Sequence, residues 1–486
     1  MSLRFVDPLT GQTIGSTALG RAVLSASVTD VDAELSSKLA KQAEWRKTYQ
    51  AAFASVAMAE FKSSTAMIDV ATKGLAEFEK RVVTENGEPL IVAVRNAWRS
   101  DKDLVATVVV KGLGEKLAPG ILGTQTLEQM VANHSAEPGI VSAVKNVDGS
   151  TINNDLLIAL AGGAEYSPSR LWLDWGGSVA IVARARVELW QELITRARIS
   201  GGTLYVPVLK SKINGVDVQK LSDEELANVA GLDLVTDYEA ISGWLSSLAR
   251  VDTRRLVLGN YAYAPGAKHI EVQAVQHCLG RVLTESLPKS RVVLTWLATP
   301  TDSHVVPVQF AQDISSRFAS RDLMTKVRDF FYGARENKPL LFTNANGLDL
   351  AVIDPTSSLQ GSSYALAKRV QRWLAYQQQV ADRKVIYTVL PPAYTDSVLS
   401  HRILRASYHG APHFGLFPYK TDSAVSLAAC LLLSELNTPI SIDKGNPTAI
   451  YSRLAVHGGL WRSIYKPSDL WRVATVRGIF GYFKKP

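Results

Sequence analysis

The apolar and polar positions of this chain change rhythm near residue 136 and again near residue 300. From Val31 to about Arg81 the sequence is rich in Ala, Lys, Glu and Leu, with no proline and one glycine, a pattern that predicts helix. A short extended start turns at Pro8 to Gly11, and Thr29 followed by Asp32 marks a helix N-terminus. Two β-rich runs, 89–94 and 104–110, flank a polar stretch and predict a hairpin. Beyond residue 136 short β-branched runs alternate with helical stretches. Strands are predicted at 139–144, 178–183, 203–208, 255–259, 291–297, 384–390 and 439–443. Helices are predicted at 154–161, 187–194, 238–245, 271–283, 362–375 and 421–436. An insertion at about 300–355 interrupts the alternation with a helix from Ala311 and a hairpin turned at Asn346 and Gly347.

Strand–helix alternation of this kind builds an α/β fold, a Rossmann-like parallel sheet wrapped by helices. The expected organisation is an N-terminal, mostly helical accessory or oligomerisation domain with a hairpin (1–135), the sheet domain (136–445) and a C-terminal arm (446–486). In such a sheet the ligand lies at the carboxyl ends of the strands, so chemistry is sought in the loops that follow them.

The sharpest local signal is Tyr364 followed by Lys368 at the start of a predicted helix. Four residues of helix put both side chains on one face, one turn apart. An ammonium beside a phenol stabilises the phenolate, which predicts a lowered Tyr364 pKa and a usable proton donor. Other candidates are weaker. His409 and His413 have the spacing of a metal pair on a helix, but Gly410 and Pro412 between them break the helix that the pair needs. Trp172, Trp175 and Trp190 read as packing residues.

With this pair placed in the loop-rich half of an alternating fold, residues 136–445 resemble the short-chain dehydrogenase/reductase family, and within it the ketoreductase domains of fatty-acid and polyketide synthases. The likeness rests on Tyr364 and Lys368, on Gly149 to Ile152 as the glycine turn after the first strand, and on Arg184 closing the second strand. Asn260 after the fourth, Thr395 after the sixth and a last strand at 439–443 complete it. The resemblance implies a seven-stranded sheet that binds NADP and reduces a ketone of ketoacyl or polyketide type. It implies that Tyr364 protonates the carbonyl oxygen and that Lys368 holds the ribose. Gly149, Ser150 and Ile152 would face the pyrophosphate, Arg184 a 2'-phosphate, and Asn260 and Thr395 the rest of the cofactor. For the hydroxyl that assists Tyr364 the family's own position falls on Ala351. The candidates are Ser303, Thr299, Ser357 and Ser358, with Ser303 taken first.

Composition and charge then narrow the partners. The chain has 486 residues, 47% apolar and 20% charged, so each region is large enough to bury a core. Two cysteines, Cys278 and Cys430, build neither a disulfide framework nor a cysteine-rich metal site, and a reducing, cytoplasmic setting is expected. The net charge is +8, but residues 1–135 hold 15 basic and 15 acidic residues, whereas 446–486 hold seven basic residues against Asp469. The excess thus belongs to the arm, which argues against a nucleic-acid groove in the body. Mixed aromatic and basic residues suit the arm to peripheral membrane contact, nucleic-acid phosphate or the groove of a partner subunit or second copy of the chain, and the plainer expectation is an arm packed on its own or a neighbouring domain. The alternative to an enzyme is a reductase-like scaffold without cofactor binding. It is favoured by Lys145, Asn146, Val147 and Asp148 ahead of a single Gly149, where side chains would hold the backbone away from a pyrophosphate.

Overall fold

The computed structural model describes residues 3–123, 125–147, 150–213, 215–356, 360–439 and 449–481. Four long helices open the chain: α1 (Ser16–Ser27), α2 (Trp45–Glu60), α3 (Ser64–Arg81) and α4 (Leu90–Arg99). The last replaces the first arm of the expected hairpin. Leu90, Ile91, Val94 and Trp98 are buried at helical spacing, so the run packs as one stripe despite its β-rich composition. Its expected partner does form a strand, β1 (Val105–Lys111), but that strand joins the central sheet as an antiparallel edge.

The sheet continues as β2 (Asp155–Leu160), β3 (Ser178–Val182), β4 (Thr203–Leu209), β5 (Arg255–Asn260), β6 (Val292–Ala298) and, after the insertion, β10 (Val385–Val389). The order across the sheet is β10-β6-β5-β2-β3-β4-β1, with the first six parallel. Counted along the chain, the parallel strands run 3-2-1-4-5-6, the order of a doubly wound nucleotide-binding sheet, with the switch point between β2 and β5. The molecule is a mixed α/β protein with a seven-stranded, mostly parallel sheet.

Two predicted elements exchange identity at the start of this sheet. Residues 139–145 form a short helix, α5 (Gly139–Lys145), and 155–160 form the first parallel strand. Every residue of β2 is buried, because a central parallel strand is covered on both faces and reads as an unbroken apolar run. Leu156, Ile158 and Leu160 point into one core, while Leu157 and Ala159 point into the other.

Helices α6 (Ser169–Asp174), α7 (Val187–Ile199) and α15 (Thr421–Asn437) cover one face. Helices α8 (Tyr238–Val251), α9 (Lys268–Ser286) and α12 (Gly361–Val380) cover the other, and the N-terminal helices form a further layer outside them. The insertion folds as β7 (His304–Pro307), α10 (Gln309–Ala319), α11 (Leu323–Tyr332), β8 (Leu340–Thr343) and β9 (Asp349–Ile353). Its strands make a three-stranded antiparallel sheet ordered β8-β9-β7, with the expected turn at Gly347 in the left-handed region (φ 75°).

After β10 come α13 (Asp396–Ser400) and α14 (Arg402–Gly410), and the chain closes with α16 (Pro467–Gly481). The arm packs on its own chain. A Cβ at Gly410 would lie 1.9 Å from the Ala474 carbonyl oxygen, and one at Gly478 would lie 1.8 Å from that of Ala406. Only glycines let α14 and α16 cross so closely. The predicted last strand at 439–443 falls, apart from Pro439, outside the described residues. Among the described residues no helix is long and apolar enough to cross a membrane, and both cysteines are free and buried.

Candidate active site at the carboxyl edge of the sheet

Tyr364 lies in the first turn of α12, beside the carboxyl end of β6. Its phenol is hydrogen-bonded to the Thr299 side chain, one residue beyond that strand. The imidazole of His269, from the first turn of α9, stacks on the phenol ring at 5.2 Å and 18°. Lys368 follows one helical turn later, with Nζ 5.6 Å from the ring centroid. That ammonium donates to the Leu297 carbonyl at 3.0 Å and to Gln371 Oε1 at 3.2 Å. The pair therefore shares a face, as its spacing requires.

The electrostatics differ from the expectation. Burial pushes the Tyr364 phenol well above its ordinary range; the Thr299 hydrogen bond opposes the rise, and Tyr263 and Asp302 add to it. Lys368 lies against the ring and contributes no resolved lowering, so the expected acidic phenol is not formed: desolvation outweighs the ammonium. Burial likewise lowers Lys368 to about 8, with Asp302 opposing. His269 is held to about 3 by burial and by Lys368, and is neutral. Its Nδ1 accepts from the Ala264 N–H at 3.2 Å, which puts the ring proton on Nε2. That buried nitrogen has no hydrogen-bond partner among the described residues.

Behind the pair, α12 carries a buried ionic network. Arg369 Nη1 donates to Glu60 Oε1 at 3.0 Å, and Trp373 Nε1 to the same oxygen at 2.6 Å. Arg369 and Arg372 both face Asp302, each at 3.4 Å. Burial opposes ionisation of Asp302, but Arg372 and Arg369 prevail and hold its pKa below the ordinary value. The network ties helix α2 to the loop that carries Thr299. The arm braces the same loop: Trp461 Nε1 donates to the Pro300 carbonyl at 3.0 Å, and Trp461 packs between His304 and His457. The arm is fastened in turn by Glu137, which accepts from Arg462 at 2.8 and 2.9 Å and from His457 Nε2 at 3.0 Å.

The other sequence candidates fall into three groups. Asn260, Arg184 and Thr395 stand at the carboxyl ends of the fourth, second and sixth parallel strands. Asn260 Nδ2 donates to the Thr295 carbonyl at 3.1 Å, leaving its buried Oδ1 without a partner among the described residues. Arg184 is exposed, and Thr395 caps α13 by accepting from the Val398 N–H. Ser303 follows β6 but is fully buried and gives its hydroxyl to Asp354 Oδ1 at 3.1 Å, so the hydroxyl brought to Tyr364 is that of Thr299. Ser357 and Ser358 lie outside the described residues.

The third group is displaced. Ser150 and Ile152 precede β2 instead of following it, and Gly149 lies outside the described residues. Thr151 between them exchanges hydrogen bonds with Asn437, beside Leu436, whose carbonyl accepts from Arg255 at the first residue of β5. This is the amino edge of the sheet, the wrong end for a ligand, and Ile152 is a core residue. The loop that does follow the first strand is Ala161, Gly162, Gly163, Ala164, Glu165 and Tyr166. Ala161 takes the left-handed region (φ 65°), strained for a residue with a Cβ. A Cβ on Gly162 would meet Ile181 at 2.8 Å, and one on Gly163 would meet Leu189 at 2.6 Å. The signal was present as a paired glycine after an apolar run, hidden because that run reads as helix.

This loop also reaches across the crevice. Glu165 Oε1 accepts from the Asp396 N–H at 3.1 Å, and the Tyr166 phenol is hydrogen-bonded to the Ala393 backbone, both beyond β10. Gly162 and Gly163, exposed Arg184 and Asn260 thus lie at the carboxyl ends of the first, second and fourth parallel strands, beside the switch point. Comparison of the sequence with protein-family models and with curated proteins finds no match to either.

Proposed function

We propose that the chain is a reductase of the short-chain dehydrogenase/reductase type, using NADP to reduce a ketone of ketoacyl or polyketide kind. The observation that carries this reading is the contact of Tyr364 with the Thr299 hydroxyl and of its ring with Lys368, at the carboxyl edge of a sheet ordered 3-2-1-4-5-6. The cofactor, when bound, supplies hydride. Tyr364 gives its phenolic proton to the carbonyl oxygen, and Thr299, hydrogen-bonded to that phenol, orients it. Lys368 holds the ribose hydroxyls, and Arg184 favours a 2'-phosphate by charge. Gly162 and Gly163 take the place of Gly149 as the turn that lets backbone approach the pyrophosphate.

Titration with NADPH and NADH tests the reading. Saturable binding that favours NADPH is expected, with Tyr364→Phe losing turnover by about 100-fold or more while cofactor affinity stays within about threefold. A second reading, a reductase-like scaffold that assembles with other subunits, is favoured by the bridge from Glu165 and Tyr166 to the loop after β10, because it closes the crevice. It predicts no cofactor binding at millimolar concentration even after Glu165→Ala and Tyr166→Ala open that bridge.

A further inference from the structure

We propose that α11 is a membrane-contacting helix that lays its apolar face into a lipid bilayer carrying anionic headgroups. This inference stands apart from the reductase reading. Leu323, Met324, Val327, Phe330 and Phe331 recur at helical spacing on one side of α11. Four of them are 76%, 79%, 83% and 81% exposed (Leu323, Met324, Phe330 and Phe331), so the apolar face looks outward. The inward side is polar and locked. Buried Asp329 accepts from Arg321, from Arg328 Nη2 at 2.8 Å and from the Tyr465 hydroxyl at 3.0 Å, and Tyr332 packs on Phe414. The helix therefore cannot roll to hide its phenylalanines. An outward apolar face of this size marks a surface that something else covers.

Charge selects the occupant. Lys326 stands on one shoulder of the apolar arc, where its long cationic side chain reaches headgroups while its stem lies on the acyl boundary. The basic arm meets the same place: the Lys466 N–H donates to the Arg335 carbonyl at 2.8 Å, and Arg472 Nη2 donates to the Gly333 carbonyl at 3.3 Å. Of the nearby carboxylates, Asp329 is engaged by Arg321 and Arg328 and Asp469 by Arg335, while exposed Asp322 caps the amino end of α11 through Thr325 and leaves the cations in excess. Among the described residues no carboxylate pairs with Lys326, Lys466 or Arg472, so the rim of the apolar face is positive. A second copy of the chain fits less well. A two-fold antiparallel pairing of α11 sets each shoulder against its own copy, Lys326 against Lys326, which repels. A single convex helix bearing two adjacent phenylalanines matches a deformable acyl layer.

The test is sedimentation of the full chain with vesicles of phosphatidylcholine alone or with roughly one-third phosphatidylglycerol. The chain is expected in the pellet with the anionic vesicles and to be released at about 0.5 M salt, where screening removes the headgroup attraction. The double variant Phe330→Ser/Phe331→Ser, altered only at exposed positions and checked by circular dichroism, should bind at least about tenfold more weakly. Lys326→Glu should weaken binding to the anionic vesicles only. Absence from both pellets, or a double variant that binds like the parent, overturns the proposal. So does a dimer that depends on Phe330 in velocity sedimentation without lipid binding, since the face would then belong to a second copy.

Discussion

Tyr364 and Arg369 stand five residues apart on α12, and their surroundings differ in kind. Around Tyr364 and Lys368 there is one cation on neutral partners: the Lys368 ammonium donates to the Leu297 carbonyl and to Gln371, and no carboxylate pairs with it among the described residues. Around Arg369 and Arg372, charges of both signs are buried together, with Glu60 and Asp302 opposite the two guanidinium groups. The first region leaves its single cation without a countercharge at the carboxyl edge of the sheet. The second binds the N-terminal layer to the sheet, and its charges cost more to separate than they return in net stability.

The largest effect should therefore come from the second region. Arg369→Met removes the guanidinium that faces Glu60 and Asp302 and leaves both carboxylates buried with reduced compensation. A loss of about 3–5 kcal/mol in urea unfolding is expected, the range for breaking a buried pair from one side. Tyr364→Phe, which removes one hydroxyl from the first region, should cost no more than about 1 kcal/mol. If the two losses are similar, the division of α12 into a working face and an anchoring face is wrong.

A smaller effect separates the two anchors of the molecule. Burial alone would raise the Glu137 pKa, but hydrogen bonds from Arg462 and His457 bring it down to about 2 from an ordinary 4.5. A carboxylate depressed in the folded state contributes stability that is present above the unfolded pKa and lost as pH falls through 4.5 towards 2. Glu137→Gln, which mimics the protonated acid, should lose about 3 kcal/mol near pH 7. The gap to the parent should close as pH falls through that window. Because Glu137 fastens the arm that braces the Thr299 loop, the variant should also loosen Trp461, read as a change in tryptophan fluorescence.

Much of the sheet was legible because β3, β5, β6 and β10 are short β-branched runs between helical stretches, and the insertion's hairpin turned where Asn346 and Gly347 pointed. The Tyr364 and Lys368 pair was legible because helix geometry alone puts positions four apart on one face. The loop after the first parallel strand was misplaced through one element: the leucine-rich run of β2, covered on both faces, carries no period of two to distinguish it from a buried helix. That single exchange moved the glycine turn from Gly162 and Gly163 to Gly149. The choice of Thr299 over Ser303 depends on which way the chain turns after β6, and the contact of Glu60 with Arg369 joins residues 309 positions apart. Neither leaves a local pattern to read.

The smallest effect tests whether Lys368 belongs to the working face. Its pKa is lowered by burial to about 8 from 10.5, with Asp302 opposing, so the folded state gives up the proton before the unfolded chain does. Between about pH 8 and 10.5 the unfolded state binds more protons, and stability contributed by this site rises with pH. Lys368→Met has no such term. The parent should thus gain on the variant by about 1 kcal/mol as pH rises from 7 to 10, less than the full shift because the ammonium is only half-buried. NADPH affinity of the parent should fall over the same interval, since the neutral amine holds ribose hydroxyls less well. Stability curves for parent and variant that run parallel across this window would mean that Lys368 keeps its charge throughout, and would move it to the anchoring side of the helix with Arg369.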